Sequence, residues 1–216
     1  MFFFAVIFKY SNQRKYFQWE KIRGEVFMKK FFKILFLVII FCLLSTVFFC
    51  GESELPNLQM PVVVTPCGQS PGALMFRLVC MRSKITCKEI PLLNSEELKN
   101  GGYKTLVIIT GTSGKGMGAA GIDINQEIKR VKELISTAKE LGIKIIGAHI
   151  EGMARRVDSM DAASIESVMP ESDLILVIED SNSDGYFTKL SDETGIPALI
   201  AKDSMGVGNA LKPLFE

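Results

Sequence analysis

Six short apolar runs, separated by segments with helical periodicity, constrain the fold of this chain more than any other feature. The runs are Pro61–Thr65 (PVVVT), Thr86–Leu92, Tyr103–Gly111, Ile143–His149, Leu174–Glu179 and Pro197–Lys202. Between and after them the pattern predicts helices over about 71–83, 125–141, 160–169, 186–194 and 207–215, with a brief helical turn near 95–98. The longest places Ile128, Val131, Ile135 and Ala138 on one face and stops at Gly142. Strands that are apolar on both faces, alternating with helices, form a parallel sheet covered on both sides. The expected fold is therefore a three-layer α/β domain with a mainly parallel sheet of five or six strands. Right-handed crossovers and a short first unit predict the flavodoxin-like strand order 2-1-3-4-5-6.

In that order the chain reverses between the first and third strands, and sheets of this kind bind ligands at such a switch point. Two loop-like turns meet there. One is Pro66–Gly72 (PCGQSPG), and the other is TGTSGKGMGAAGID, which follows the third strand. Five glycines from Gly111 to Gly121 free the second turn to approach a ligand closely, and Lys115 is the only formal positive charge between Lys104 and Lys129. The chemistry suits a small anion such as a carboxylate or phosphate. Ser70, Ser113, Lys115 and the amides of Gly116 and Gly118 are the expected contacts. The fourth strand ends in His149-Ile150-Glu151-Gly152-Met153-Ala154-Arg155-Arg156 on the same edge, so His149 and Arg155 or Arg156 would close the site.

Rival motifs fit less well. Gly116–Gly121 spells GxGxxG, yet about five residues separate it from the strand end, and no acidic strand end follows at the required distance. Gly114-Lys115 is followed by Gly116 where a nucleotide P-loop needs Ser or Thr. Ser113 in GTSGK misses the GxSxG nucleophile elbow by one residue, and the single histidine, His149, comes in the wrong order for an α/β-hydrolase. Hydrolase or transferase chemistry on Ser113 or His149 remains the enzymatic alternative, and a protein-interaction module is another. Asp180–Gly185 (DSNSDG) matches the first half of a calcium loop, but the twelfth position is Ser191 rather than glutamate; the plainer reading is a turn that caps the next helix. The glycine-rich stretch also has a plain reading, as a flexible crossover loop. No cofactor or metal is expected.

The first 50 residues differ from the rest. They carry 8 of the 25 Lys+Arg and 2 of the 24 Asp+Glu, which leaves 17 against 22, a net charge of −5, for residues 51–216. Met28-Lys29-Lys30, Lys33 and the apolar run 34–49 resemble a signal or anchor segment, longer than the roughly 7–15 residues of an ordinary secretory core. Lysines before the run and Glu52 and Glu54 after it direct the remainder outward. The domain is thus expected outside the cytoplasm, tethered to the outer face of a bacterial cytoplasmic membrane. Cys50 stands where a lipoprotein carries its acyl chains, although Phe49 is bulky for that cleavage motif; an uncleaved helical anchor is the alternative. The expected boundaries are an upstream extension at 1–27, which should not be translated, a signal or anchor at 28–50, a linker at 51–59 and the α/β domain at 60–216. The domain has no basic stripe, so nucleic acid is not an expected partner. Its three cysteines, Cys67, Cys80 and Cys87, are an odd count without a CxxC pair, and Cys80 reads as a core residue.

In Gly68-Gln69-Ser70-Pro71, in Lys115–Gly121 and in His149 with Gly152, Arg155 and Arg156, the chain resembles an uncharacterised family of bacterial domains of unknown function, often exported and Rossmann- or flavodoxin-like. The resemblance spans about 60–216. It implies a common fold and a shared site but no reaction. A tethered domain that binds a small anionic metabolite, in the service of a transporter or a sensor, is the expectation carried forward.

Overall fold

The computed structural model describes residues 54–215, together with Lys33 and Phe36. The upstream extension, the signal or anchor segment and Cys50 therefore lie outside the account, save those two residues. Among the described residues no helix is long and apolar enough to cross a membrane.

Six strands make one sheet: β1 (Val62–Cys67), β2 (Cys87–Glu89), β3 (Thr105–Thr110), β4 (Lys144–His149), β5 (Leu174–Ile178) and β6 (Ala198–Ala201). All neighbours are parallel, in the order β2-β1-β3-β4-β5-β6. This is a flavodoxin-like α/β sheet, with the strand order expected from the sequence. Seven α-helices are described: α1 (Gly72–Arg82), α2 (Ser95–Asn100), α3 (Gly114–Ala120), α4 (Ile124–Glu140), α5 (Ser159–Val168), α6 (Tyr186–Thr194) and α7 (Val207–Leu211).

Side chains alternate across the strands, and the two faces build separate cores. Val62, Val64, Val107, Ile109 and Ile146 pack against Phe76 and Val79 of α1 and Val207 and Leu211 of α7. Val63, Leu106, Ile108 and Ile145 face the other way, onto Val131, Leu134, Ile135 and Ala138 of α4 and Leu98 of α2. Further along that layer, Ile175 and Val177 meet Ile165 of α5 and Phe187 of α6. Leu58, within the stretch read as linker, is fully buried, and its amide donates to the Leu214 carbonyl.

Local sequence explains the helix ends. Asn94 with Glu97 and Asp123 with Gln126 form reciprocal capping boxes at α2 and α4, and Asp158 caps α5. One element departs from expectation: the glycine-rich stretch is not an open loop but contains helix α3. Ser113 caps its start by accepting from the Gly116 amide, and Gly121 ends it in the left-handed conformation.

Candidate functional site

The carboxyl edge of β1, β3 and β4 is held by buried polar groups that come mostly from the helices. Glu127 of α4 is fully buried, and its carboxylate accepts from the Gly68 amide and the Gln69 side chain. Arg130, one turn on, grips it with two nitrogens and also donates to the carbonyls of Pro66 and Leu93. A charge so deep in the protein is tolerable only with such pairing. On the β3 side, Asp161 of α5 accepts from the Thr112 amide and hydroxyl and from the Val157 amide. Ser164 donates to the Cys67 carbonyl and accepts from the Gly111 amide. The two turns are thus fixed from below, and they touch: Gln69 bridges to Thr112, and a Cβ at Gly116 would overlap the Gln69 carbonyl oxygen.

Within this frame lies Ser70. The residue is only 6% exposed, and its hydroxyl has no hydrogen-bond partner among the described residues. It stands just before α1, a helix of 11 residues whose cap position, Pro71, offers no side-chain acceptor. The Gly72 amide at that helix start donates instead to Oε1 of Glu151, at 3.1 Å. Glu151 comes from the end of β4, and its other oxygen lies 3.4 Å from Arg155 Nε. Arg155 also donates to the Thr112 carbonyl at 2.6 Å. A helix amino terminus, two residues along the chain from the unpartnered Ser70 hydroxyl, and a guanidinium therefore hold the two oxygens of one carboxylate supplied by the protein itself.

The other expected site residues are placed as follows. Ser113 gives its oxygen to the Gly116 amide, so both groups serve the α3 cap. Gly118 lies within α3, and both it and Lys115 are exposed. Lys115 forms no ion pair among the described residues. Arg156 turns toward β5: it donates twice to Asp184, once to the Ser181 carbonyl, and lies over the rings of Tyr186 and Phe187. That guanidinium holds the Asp184 carboxyl below its ordinary value. His149 is fully buried, with Nδ1 at 2.9 Å from the Thr110 hydroxyl and Nε2 at 3.2 Å from the Gly152 carbonyl, and its ring stacks on Phe187. Burial pushes its pKa down to about 4.

The structure thus sets Gly116 against the Gln69 carbonyl, next in the chain to Ser70, and Arg155 against Thr112 and Glu151; it leaves Lys115 and Gly118 exposed on the adjoining α3 and turns Arg156 and His149 to the β4–β5 side. Glu151, which the sequence reading quoted without giving it a role, is the residue at the centre. Its carboxylate accepts from the Gly72 amide and lies beside Arg155, contacts that join the start of α1 to the end of β4.

The calcium-like turn finds other work. Asn182 accepts from the Phe187 and Thr188 amides ahead of α6, Asp180 accepts from the Met153 amide, and Asp184 pairs with Arg156. Among the described residues no cluster of three or more His, Cys, Asp or Glu is placed to hold a metal ion. Two described hollows lie away from the switch point. One of about 530 Å³ lies between α4 and α5, lined by Lys132, Lys139 and Glu166 among others, and one of about 240 Å³ lies at the amino ends of β3 and β4.

A family model described as a domain of unknown function, DUF6305, matches residues 59–215. No curated protein and no solved structure matches the chain.

Proposed function

The chain belongs to the DUF6305 family of domains of unknown function, and from that premise we propose that it binds a small anionic metabolite at the switch point, around Ser70 and the start of α1. The observation that carries this reading is the buried, unpartnered Ser70 hydroxyl beside a helix terminus that already receives a carboxylate oxygen. Leaving a hydroxyl desolvated and unpaired costs about 1–3 kcal/mol, which a ligand oxygen would recover. In this reading the ligand's carboxylate or phosphate takes the place held by Glu151, accepts from the Ser70 hydroxyl and the Gly72 amide, and draws Arg155 and the exposed Lys115 onto itself. Glu151 is then a built-in competitor that keeps the empty site ordered. The proposal includes the tether: the basic, apolar segment 28–50 would hold the domain at the outer membrane face, within reach of a transporter or sensor. No observation favours the enzymatic alternative: the Ser113 oxygen accepts from the Gly116 amide, and both ring nitrogens of His149 are engaged by Thr110 and Gly152.

A thermal-shift screen of the full chain against phosphate, sulfate and simple mono-, di- and tricarboxylates tests the site. At least one anion should raise the wild-type Tm. Ser70→Ala should have a higher Tm than wild type without ligand, because a desolvated hydroxyl is gone, and should lose most of the anion-induced rise. Lys115→Ala should keep its ligand-free Tm and weaken binding roughly 10- to 100-fold, the scale of a charge-assisted hydrogen bond. If no anion stabilises the wild type, or all three proteins respond equally, the site is not an anion site.

A further inference from the structure

Two of the domain's cysteines lie where α1 runs into β2. The chain reverses over Ser83–Thr86, with Lys84 in the left-handed conformation and the Ile85 amide donating back to the Cys80 carbonyl. That turn lays β2 alongside the last turns of α1. Arg77 and Cys80, three apart, share one face of the helix, while Cys87 and Glu89, two apart, share one face of the strand. The faces meet in register. Arg77 Nε lies 3.8 Å from Glu89 Oε2, which sets Cys80 and Cys87 at the adjoining positions of the two faces. Cys80 is fully buried in the core cluster against which Cys87, half-buried, packs. The contact with the Cys87 thiol and burial both push the Cys80 thiol up from its ordinary value. Cys67 stands apart on the opposite face, near Ser164 and Ser167, and its own burial pushes it up to about 11.

We propose that Cys80 and Cys87, free thiols in this structure, are a dithiol that closes to an intramolecular disulfide and staples the carboxyl end of α1 to the edge strand β2. The odd cysteine count conceals this pair, because the third thiol belongs to the other layer. The oxidant is an organic disulfide. Cys87, the accessible member, attacks as thiolate one sulfur of that disulfide, forming a mixed disulfide and expelling the first small thiolate, which takes up a proton. Cys80 then gives up its proton and attacks Cys87 Sγ, which breaks the mixed bond and expels the second small thiolate. Two protein thiols are oxidised and one donor disulfide is reduced to two thiols. The product loop is short, and the strand it anchors lies at the sheet edge, held in the sheet by β1 alone. The staple therefore acts where the sheet is least supported.

The test is peptide mapping of the full chain after incubation with glutathione disulfide and trapping of the remaining thiols with iodoacetamide. Trypsin cleaves at Arg82, Lys84 and Lys88, so Cys80 and Cys87 fall on separate peptides, Leu78–Arg82 and Ile85–Lys88. The expected product is those two peptides joined, lighter by two hydrogens than their sum, with Cys67 alkylated only after unfolding. The oxidised chain should also melt at a higher temperature than the reduced one, a difference that Cys87→Ser abolishes and Cys67→Ser preserves. Recovery of the two peptides unlinked, whether alkylated or carrying glutathione, overturns the pair, as does linkage of either cysteine to Cys67.

Discussion

At the scale of the residue, His149 shows how a group at the carboxyl edge of the sheet can belong wholly to the fold. Its Nε2 faces the Gly152 carbonyl, which only accepts, so that nitrogen carries the proton. Its Nδ1 faces the Thr110 hydroxyl, which can donate to a neutral ring or accept from a charged one. Burial decides for the neutral ring, aided by the nearby Arg156 charge, and the pKa falls to about 4 from an ordinary 6.5. The unfolded chain then binds more protons than the native one between those values, so stability is full above about pH 6.5 and declines as pH falls toward 4. The displacement amounts to about 3 kcal/mol. His149→Gln, which keeps a donor and an acceptor but does not titrate, should be less stable at pH 8 yet show a shallower loss between pH 6.5 and 4. Urea midpoints of both proteins across that range check this; parallel slopes would mean that His149 titrates normally in the native state.

At the scale of the element, α3 is where sequence and structure part. The strands were legible because runs such as TLVIIT are apolar on both faces, which only a covered parallel sheet needs. The helix was not, because Gly114, Gly116 and Gly118 lower the helical propensity of a seven-residue segment below what its pattern can reveal. Two features compensate: the Ser113 and Gly121 ends, readable in principle, and the contact of Gly116 with the Gln69 carbonyl, which no local pattern encodes. The same limit hid Glu151, Glu127 and Asp161, whose roles depend on loops 59 to 79 positions away for the first two and 49 for the third. The glycines of α3 should accordingly respond in opposite directions. A Cβ at Gly118 meets nothing within 4 Å, so Gly118→Ala should stabilise the protein by roughly 0.4–1 kcal/mol. A Cβ at Gly116 strikes backbone that cannot swing aside, so Gly116→Ala should destabilise by about 1–3 kcal/mol despite the better helix former. Equilibrium urea unfolding of the two variants measures both, and equal effects would mean that α3 does not press on the β1 turn.

At the scale of the whole molecule, stability is graded across the sheet. β1 and β3 are buried at every position and carry partners on both sides, and β4 and β5 are buried throughout except at Lys144. The edges are weaker in different ways: β2 is three residues long with no buried position, while β6 is four residues long with one. Local opening follows buried contact, so the edges should separate from the centre before the molecule unfolds as a whole. The Glu127–Arg130 pair ties the β1 turn to α4 and to the Leu93 carbonyl, which places α4 in the same cooperative unit as the central strands. Native-state hydrogen exchange should therefore find the slowest amides in β1, β3, β4 and the buried face of α4, exchanging only through global opening. Amides of β2 and β6 should exchange through smaller openings that depend weakly on urea. Protection of β6 equal to that of β3 would show that the edge is covered by something besides α6 and α7, whereas fast exchange in β1 would mean that the buried ion pair does not hold the site's floor.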